Sequence, residues 1–148
     1  MAYPPLLCLA NEVAYRAHFE KLYCREPVET FDGIQVRFRK RDFDHCCFES
    51  SQRNNRKDLF STKRAERLDW IQAALQDPNS ERYQGWDKKK KCYDATRRVT
   101  LVMGDYVVVI ALKAPKEADF ITAYVADTPT RPERLSTIDQ IRKGPKWP

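Results

Sequence analysis

The stretch DYVVVIALKAPKEADFITAYVA, residues 105–126, decides the fold. It contains two apolar runs rich in β-forming residues, and the short link APKEA joins them. The run RRVTLVM, residues 97–103, precedes Gly104 and predicts a hairpin with the first of the two runs. The C-terminal half of the chain is therefore expected to form an antiparallel sheet.

The second apolar run, residues 119–127, alternates in the way that a strand does. One face is expected to carry Phe120, Thr122 and Tyr124. The opposite face is expected to carry Ile121, Ala123 and Val125. Because the first face includes a hydroxyl and a phenol, there are two interpretations. Either this face of the sheet is simply exposed to solvent, or it forms the floor of a functional site.

The N-terminal half is predicted to be mainly helical. Residues 5–24 have helical periodicity, with a stripe of Leu6, Ala10, Val13 and Ala17. The alternating stretch IQVRFRK, residues 34–40, predicts one half-buried strand whose core face carries Ile34, Val36 and Phe38. The chain thus predicts an α+β domain in which N-terminal helices precede a roughly four-stranded antiparallel sheet.

A second helix is predicted after the strand at residues 34–40. Ser61 or Thr62 is its expected N-cap and Pro78 its stop. Its buried stripe is expected to consist of Ala65, Leu68, Ile71 and Leu75. The segment PERLSTIDQIRKG, residues 132–144, predicts a short further helix near the end of the chain.

Cysteine and histidine usage argues against a metal site and against a disulfide framework. The five cysteines form no CxxC pair, and their odd number favours reduced thiols in a cytoplasmic protein. His45, Cys46 and Cys47 are adjacent, but structural zinc needs about four ligands and the only other histidine is His18. No metal or cofactor is expected, and no apolar run is long enough to predict a membrane helix.

The net charge of +6 is unevenly distributed, which favours a nucleic acid as partner. The expected nucleic acid is RNA, either tRNA or mRNA. The residues expected to contact its backbone are Arg53, Arg56, Lys57, Lys88, Lys89, Lys90, Lys91, Arg97 and Arg98. The alternative is a solvated charged surface of the kind that many proteins have.

The side chains available for chemistry suit RNA cleavage without a metal. No Ser-His-Asp pattern or glycine-rich phosphate loop is visible. In such a reaction the ribose 2′-OH is the nucleophile, so the protein supplies an acid, a base and cations. His45 is the candidate acid or base, and Arg64 with Arg67 the candidate phosphate clamp. Thr122 and Tyr124 are candidates to bind phosphate oxygens or to position the ribose. Each of these residues also has a purely structural interpretation. His45 would cap a turn, Arg64 and Arg67 would lie on a solvated helix face, and Thr122 and Tyr124 would simply cover one face of the sheet.

Several motifs, in their order along the chain, resemble the barnase–EndoU–colicin–RelE (BECR) nuclease superfamily, and more narrowly its phage-associated branch. They are FDHCCFES (43–50), FSTKRAERLDWIQAALQDP (60–78), YVVVIAL (106–112), FITAYVAD (120–127) and IRKGPKW (141–147). The resemblance covers roughly residues 34–147. It divides the chain into an N-terminal helical extension, residues 1–33, packed on a nuclease domain, residues 34–148, within a single globular unit.

The resemblance implies a metal-independent endoribonuclease that leaves a 2′,3′-cyclic phosphate. Position by position, the family's histidine falls on His45, its helix-borne basic residues on Arg64 and Arg67, and its strand hydroxyl on Thr122 beside Tyr124. No acidic general base is evident, which leaves the division between acid and base open. A toxin-like effector of a mobile element, with a cognate inhibitor protein as partner, would fit this family. The alternative is a non-catalytic regulator that binds RNA or protein on the same scaffold.

Overall fold

The computed structural model describes residues 3–49, 59–126 and 137–147. Five helices and eight strands lie in these ranges, in the order α1 (Glu12–Tyr23), β1 (Val28–Glu29), β2 (Gln35–Arg37), α2 (Asp42–Cys47), β3 (Phe48–Glu49), β4 (Leu59–Phe60), α3 (Thr62–Ala65), α4 (Leu68–Gln76), β5 (Glu81–Asp87), β6 (Cys92–Val102), β7 (Tyr106–Ala114), β8 (Glu117–Val125) and α5 (Thr137–Lys143). The predicted α+β class is confirmed.

The main sheet has six strands in the order β1-β2-β8-β7-β6-β5, and it is mixed. β6 to β8 form the expected antiparallel strands, and β5, which was not predicted from the sequence, pairs antiparallel with β6. β2 pairs in parallel with β8, with Val36 opposite Ala118, and β1 extends the sheet beyond β2. The sheet therefore has more than the roughly four strands predicted, because β1 and β5 were not predicted. It is also not purely antiparallel, because β2 pairs with a strand about 80 residues away in sequence.

A β-bulge in β8 changes which side chains share a face. Thr122 pairs with Val109 and Phe120 with Ile110, which leaves Ile121 as an extra residue in β8. An extra residue shifts the alternation by one position. Phe120 therefore lies in the same core as Ala123 and Val125, and the prediction that it shares a face with Thr122 is wrong.

The larger core lies between the sheet and helices α1 to α4, and aromatic rings dominate it. The Phe38 ring stacks on Phe120 with centroids 4.6 Å apart, and Tyr23 stacks on Phe38 at the same distance. The predicted core face of residues 34–40 is confirmed, since Ile34, Val36 and Phe38 are all buried.

Helix α1 buries a different stripe from the predicted one. Its N-cap is Asn11, so it starts later than residue 5, and its buried side chains are Tyr15, Phe19 and Tyr23. Val13, which was expected on the buried stripe, is 73% exposed. Large aromatic rings bury more apolar surface than Val and Ala, so they determine which side of the helix faces the core. The segment predicted as an extension thus supplies central core residues.

The helical region that begins at Ser61 has the predicted buried stripe but is broken in two. Ala65, Leu68, Ile71 and Leu75 are buried, as expected. The Ser61 side chain accepts a hydrogen bond from the backbone N–H of Arg64, which confirms the N-cap. Helix α3 ends at Ala65 and α4 starts at Leu68, so residues 66–67 interrupt the predicted continuous helix.

A smaller core covers the opposite face of the sheet. It consists of Tyr83, Val99, Leu101, Val107 and Ile138, with Val109, Tyr124 and Ile141 packed against it. Because Ile138 and Ile141 come from α5, this helix lies over the face of the sheet that α1 to α4 leave open.

Arg98 and Asp32 form an interior ion pair. Arg98 Nη1 donates to Asp32 Oδ2 at 2.7 Å, and the Arg98 side chain is only 1% exposed. Burial alone would raise the pKa of Asp32, but the hydrogen bond from Thr30 and the charge of Arg98 outweigh burial and hold this pKa below its ordinary value. Arg98 was predicted to contact RNA. Its burial contradicts that role, because a guanidinium paired inside the protein does not reach a phosphate backbone.

We expect Asp32→Asn to lower the free energy of unfolding by about 2–4 kcal/mol, because it leaves the buried Arg98 charge without its partner. A fully buried pair would lose about 3–5 kcal/mol, but the Asp32 side chain is 34% exposed, which reduces the effect. Since the native pKa is depressed, this stabilisation is complete above the unfolded-state pKa of about 3.9 and is lost as the pH falls through the lower native value.

Urea denaturation at pH 7 and at decreasing pH measures both effects. The control is Glu81→Gln, which breaks the exposed Glu81–Arg142 pair and should change the free energy of unfolding by about 0–1 kcal/mol. Equal stability of the two variants at pH 7 would show that the interior pair contributes no more than the exposed one.

Candidate active site

The candidate site lies where β8 extends beyond its parallel partner. β2 pairs only with residues 117–119 of β8, and α2 and α3 pack against the rest of this strand. The Thr122 hydroxyl donates a hydrogen bond to the backbone carbonyl oxygen of His45 at 3.1 Å. The structure therefore brings together Thr122 and His45, which are 77 residues apart in sequence. A hydroxyl has a single proton to donate, so Thr122 positions the helix that carries His45.

Helix α2 presents His45 to solvent because its other side is firmly buried. Phe43, Cys46 and Cys47 are 0–2% exposed, whereas the His45 side chain is exposed. At the start of the helix, Asp42 Oδ2 accepts a hydrogen bond from the Arg39 N–H at 2.8 Å. His45 thus has a fixed backbone and an accessible imidazole, which is the arrangement that proton exchange with a bound substrate requires.

Arg64 lies beside the same strand and is held by three neighbours. Its Nε is 3.3 Å from Glu49 Oε1, and its Nη1 donates to the carbonyl oxygen of Phe48 at 3.3 Å. Its Cζ is 6.0 Å from the centroid of the Tyr124 ring, in a cation–π arrangement. The Arg64 side chain is 17% exposed, so the guanidinium is partly desolvated and its orientation is restrained.

Glu49 is the acidic residue that the sequence interpretation missed. Besides Arg64, it accepts a hydrogen bond from the Ser61 hydroxyl at 3.3 Å, and its side chain is 44% exposed. The available signal was its position in FDHCCFES, four residues after His45. That spacing alone gives no contact, because α2 ends at Cys47 and Glu49 belongs to β3.

Arg67 has different partners from Arg64. Its Nη1 donates to the carbonyl oxygen of Lys63 at 2.6 Å and to Glu66 Oε1 at 2.8 Å, and its Cζ lies 5.3 Å from the Trp70 ring centroid. The two arginines were expected to point the same way on one helix. The break between α3 and α4 removes that relation, so we keep only Arg64 in the candidate site.

The predicted RNA-binding residues fall in three different environments. Lys88, Lys89, Lys90 and Lys91 are all exposed in the turn between β5 and β6. Arg97 is half-buried, and Arg98 is the interior residue paired with Asp32. The remaining three candidates, Arg53, Arg56 and Lys57, lie outside the described residues.

The adjacent His45, Cys46 and Cys47 do not face a common point, because both thiols are buried and the imidazole is exposed. The two sulfurs are 3.5 Å apart, and burial raises the pKa of the Cys46 thiol. His18 contacts Asp69 at 2.7 Å on another part of the surface. Within the described ranges, no group of three or more His, Cys, Asp and Glu side chains could hold a metal ion.

None of the helices in the described part of the chain combines the length and apolar character needed to cross a bilayer. Comparison with protein-family models, curated proteins and solved structures finds no match for this chain.

Proposed function

We propose that the protein is a metal-independent RNA endonuclease whose site lies at the β8 edge. The observation that carries the proposal is that α2 and α3 both pack on this edge. Thr122 holds the backbone carbonyl of His45 there, and Arg64 contacts Glu49 and the Tyr124 ring. A base, an acid and a cation are the groups that attack by a ribose 2′-OH requires. The resemblance described above extends the proposal to a cytoplasmic, toxin-like effector with a cognate inhibitor protein.

Each group has a distinct role in the proposed reaction. The Glu49 carboxylate takes the proton of the 2′-OH, whose oxygen then attacks the adjacent phosphorus. The bond from phosphorus to the 5′-oxygen breaks, and protonated His45 gives its proton to that oxygen. Arg64 stabilises the negative charge that develops on the non-bridging oxygens. The products are a 2′,3′-cyclic phosphate and a 5′-hydroxyl.

Positive charge outside the site supports a polyanionic substrate. The net charge is +6, and the turn at Lys88–Lys91 carries four exposed ammonium groups. Lysines that neutralise RNA phosphates release the counterions condensed on the RNA, so the affinity for RNA should fall as the salt concentration is raised.

The two arginines provide a matched test of the proposal. Arg64→Ala should lower the rate of RNA cleavage by about 10²–10³-fold, because it removes a preorganised cation from the reacting phosphate. Arg67→Ala removes the same charge three residues later and should change the rate only a few-fold. The measurement is the initial rate of cleavage of a structured RNA in EDTA, followed by gel electrophoresis.

A non-catalytic binding domain remains the second candidate, and one observation favours it. Arg64 is already engaged by Glu49 and by the Phe48 carbonyl, as a structural arginine would be. On this hypothesis the wild-type protein binds RNA or a protein without cleaving RNA. Equal cleavage rates for the two arginine variants would also contradict the proposed site.

A further inference from the structure

A groove of about 490 Å³ lies between the far end of the β5–β6 hairpin and α5. It opens on the sheet face of the smaller core, the same face toward which Tyr124 packs. Its lining includes Gln84, Trp86, Tyr93, Val99, Ile141 and Lys143. None of these residues belongs to the candidate active site.

Two large aromatic side chains are exposed at this groove. Trp86 is 50% exposed and Tyr93 is 41% exposed, and they are directly paired across β5 and β6. Their ring centroids are 5.1 Å apart at an interplanar angle of 79°. The Tyr93 ring packs directly on the chain after α5, since a Cβ at Gly144 would lie 2.8 Å from Tyr93 Cε1. The pair is thus a fixed aromatic surface open to solvent.

The charged residues around the groove indicate which class of planar ligand would fit the aromatic surface. The four-lysine turn follows Asp87 directly and connects the two strands that carry Trp86 and Tyr93. Lys143 adds a further cation to the lining, and no described lining residue is a carboxylate. An aromatic surface combined with lysines matches a nucleobase on a phosphate backbone, because the ring stacks and the cations attract the phosphates. The Gln84 amide offers both a donor and an acceptor to a base edge.

The register of the sheet relates the groove to the candidate active site. Val99 in the groove lining pairs with Val109, which pairs in turn with Thr122. At Val99, two strand spacings of about 4.8 Å separate the groove lining from Thr122. Trp86 and Tyr93 lie farther along the β5–β6 hairpin than Val99 does. The groove and Thr122 are thus on the same side of the sheet.

We infer that this groove is a nucleobase-binding subsite, in which an unpaired base of single-stranded RNA stacks on the Trp86 ring and the nearly perpendicular Tyr93 ring forms the adjacent wall. The choice of RNA rests on the proposed function, whereas the stacking surface and its lysines are features of the groove itself. A paired base is already stacked within its helix and is not available to the groove, so the subsite selects unpaired segments.

Binding of a single-stranded, fully 2′-O-methylated RNA oligonucleotide tests the inference separately from catalysis, because that probe lacks the 2′-OH nucleophile. Trp86→Ala should weaken its binding by about 5- to 150-fold, the range expected for loss of one stacked base. Trp86→Phe should retain most of the affinity. Met103→Ala, which removes another exposed apolar side chain at a different turn, should bind like the wild type. The base-paired duplex of the same sequence should respond little to any of these changes.

The outcomes distinguish a failure of the proposed subsite from a failure of the proposed nuclease function. If Trp86→Ala weakens binding of the single strand while the wild type fails to cleave unmodified RNA, the subsite stands and the proposed nuclease function fails. If Trp86→Ala binds the single strand as tightly as Met103→Ala, or if the wild type does not bind it, the subsite is overturned. An equal loss on the duplex would also overturn it.

Discussion

Replacing His45 with alanine is expected to lower the rate of RNA cleavage by about 10²–10⁴-fold, the contribution usual for a general acid or base. The expectation follows from the exposed imidazole on α2 and from the anchoring of the His45 carbonyl oxygen by Thr122. Since the side chain is exposed, its removal creates no cavity, and the melting temperature should change by no more than a few degrees. Initial cleavage rates and thermal denaturation of the purified variant measure the two effects.

His18→Ala is the matched control for this substitution. His18 is the other histidine of the chain, and it contacts Asp69 at 2.7 Å rather than any residue of the candidate site. It should cleave RNA at the wild-type rate. If the His45 variant did the same, His45 would have no part in proton transfer.

The second large effect is expected in the core beneath β8. Phe120→Ala should lower the free energy of unfolding by about 3–5 kcal/mol, because it leaves a cavity where a buried ring was. Phe120 is 2% exposed and stacks on Phe38 at 4.6 Å. Chemical denaturation at equilibrium measures the loss.

Ile121→Ala is the neighbouring control and tests the β-bulge directly. Regular alternation along residues 119–127 predicts that Ile121 faces the core and that Phe120 does not. In the structure Ile121 is the half-buried extra residue of the bulge, so its truncation should lower the free energy of unfolding by roughly 1 kcal/mol. A larger loss for Ile121→Ala than for Phe120→Ala would mean that the strand has no bulge.

Local periodicity predicted those parts of the fold in which short-range pattern and tertiary packing agree. The buried stripe from Ala65 to Leu75 and the core face of residues 34–40 follow directly from spacing. The stripe on α1 was misjudged, because the aromatic rings of Phe19 and Tyr23 displace small apolar residues from the interior. Periodicity shows which residues of an element share a face. It does not determine which of two apolar faces packs in the core.

Long-range pairing could not be predicted from the sequence in the same way. Nothing local to Val36 indicates that it pairs with Ala118, since a parallel partner is fixed by the path of the intervening chain. The bulge at Ile121 likewise depends on how β7 and β8 align, and one extra residue reverses the face of every position before it. The burial of Arg98 follows from its distant partner Asp32, so its charge alone suggested a surface role.

The candidate site was predicted in part. His45 and Thr122 were both selected from sequence, and they prove to be in contact through the backbone carbonyl of His45. The sequence interpretation took α3 and α4 as one helix, which wrongly placed Arg67 beside Arg64. It also missed Glu49, whose relation to Arg64 depends on the packing of β3 against the start of α3.

The measurement that tests the central claim most directly is the cleavage, in EDTA, of one RNA oligonucleotide with and without a single 2′-deoxy substitution at the cleaved nucleotide. The proposed reaction uses that 2′-OH as its nucleophile and needs no metal ion. We therefore expect the unmodified strand to be cut to a fragment ending in a 2′,3′-cyclic phosphate, and the substituted strand to remain intact at that position. Cleavage of the substituted strand at the same position, or no cleavage of the unmodified strand until magnesium is added, would contradict the account.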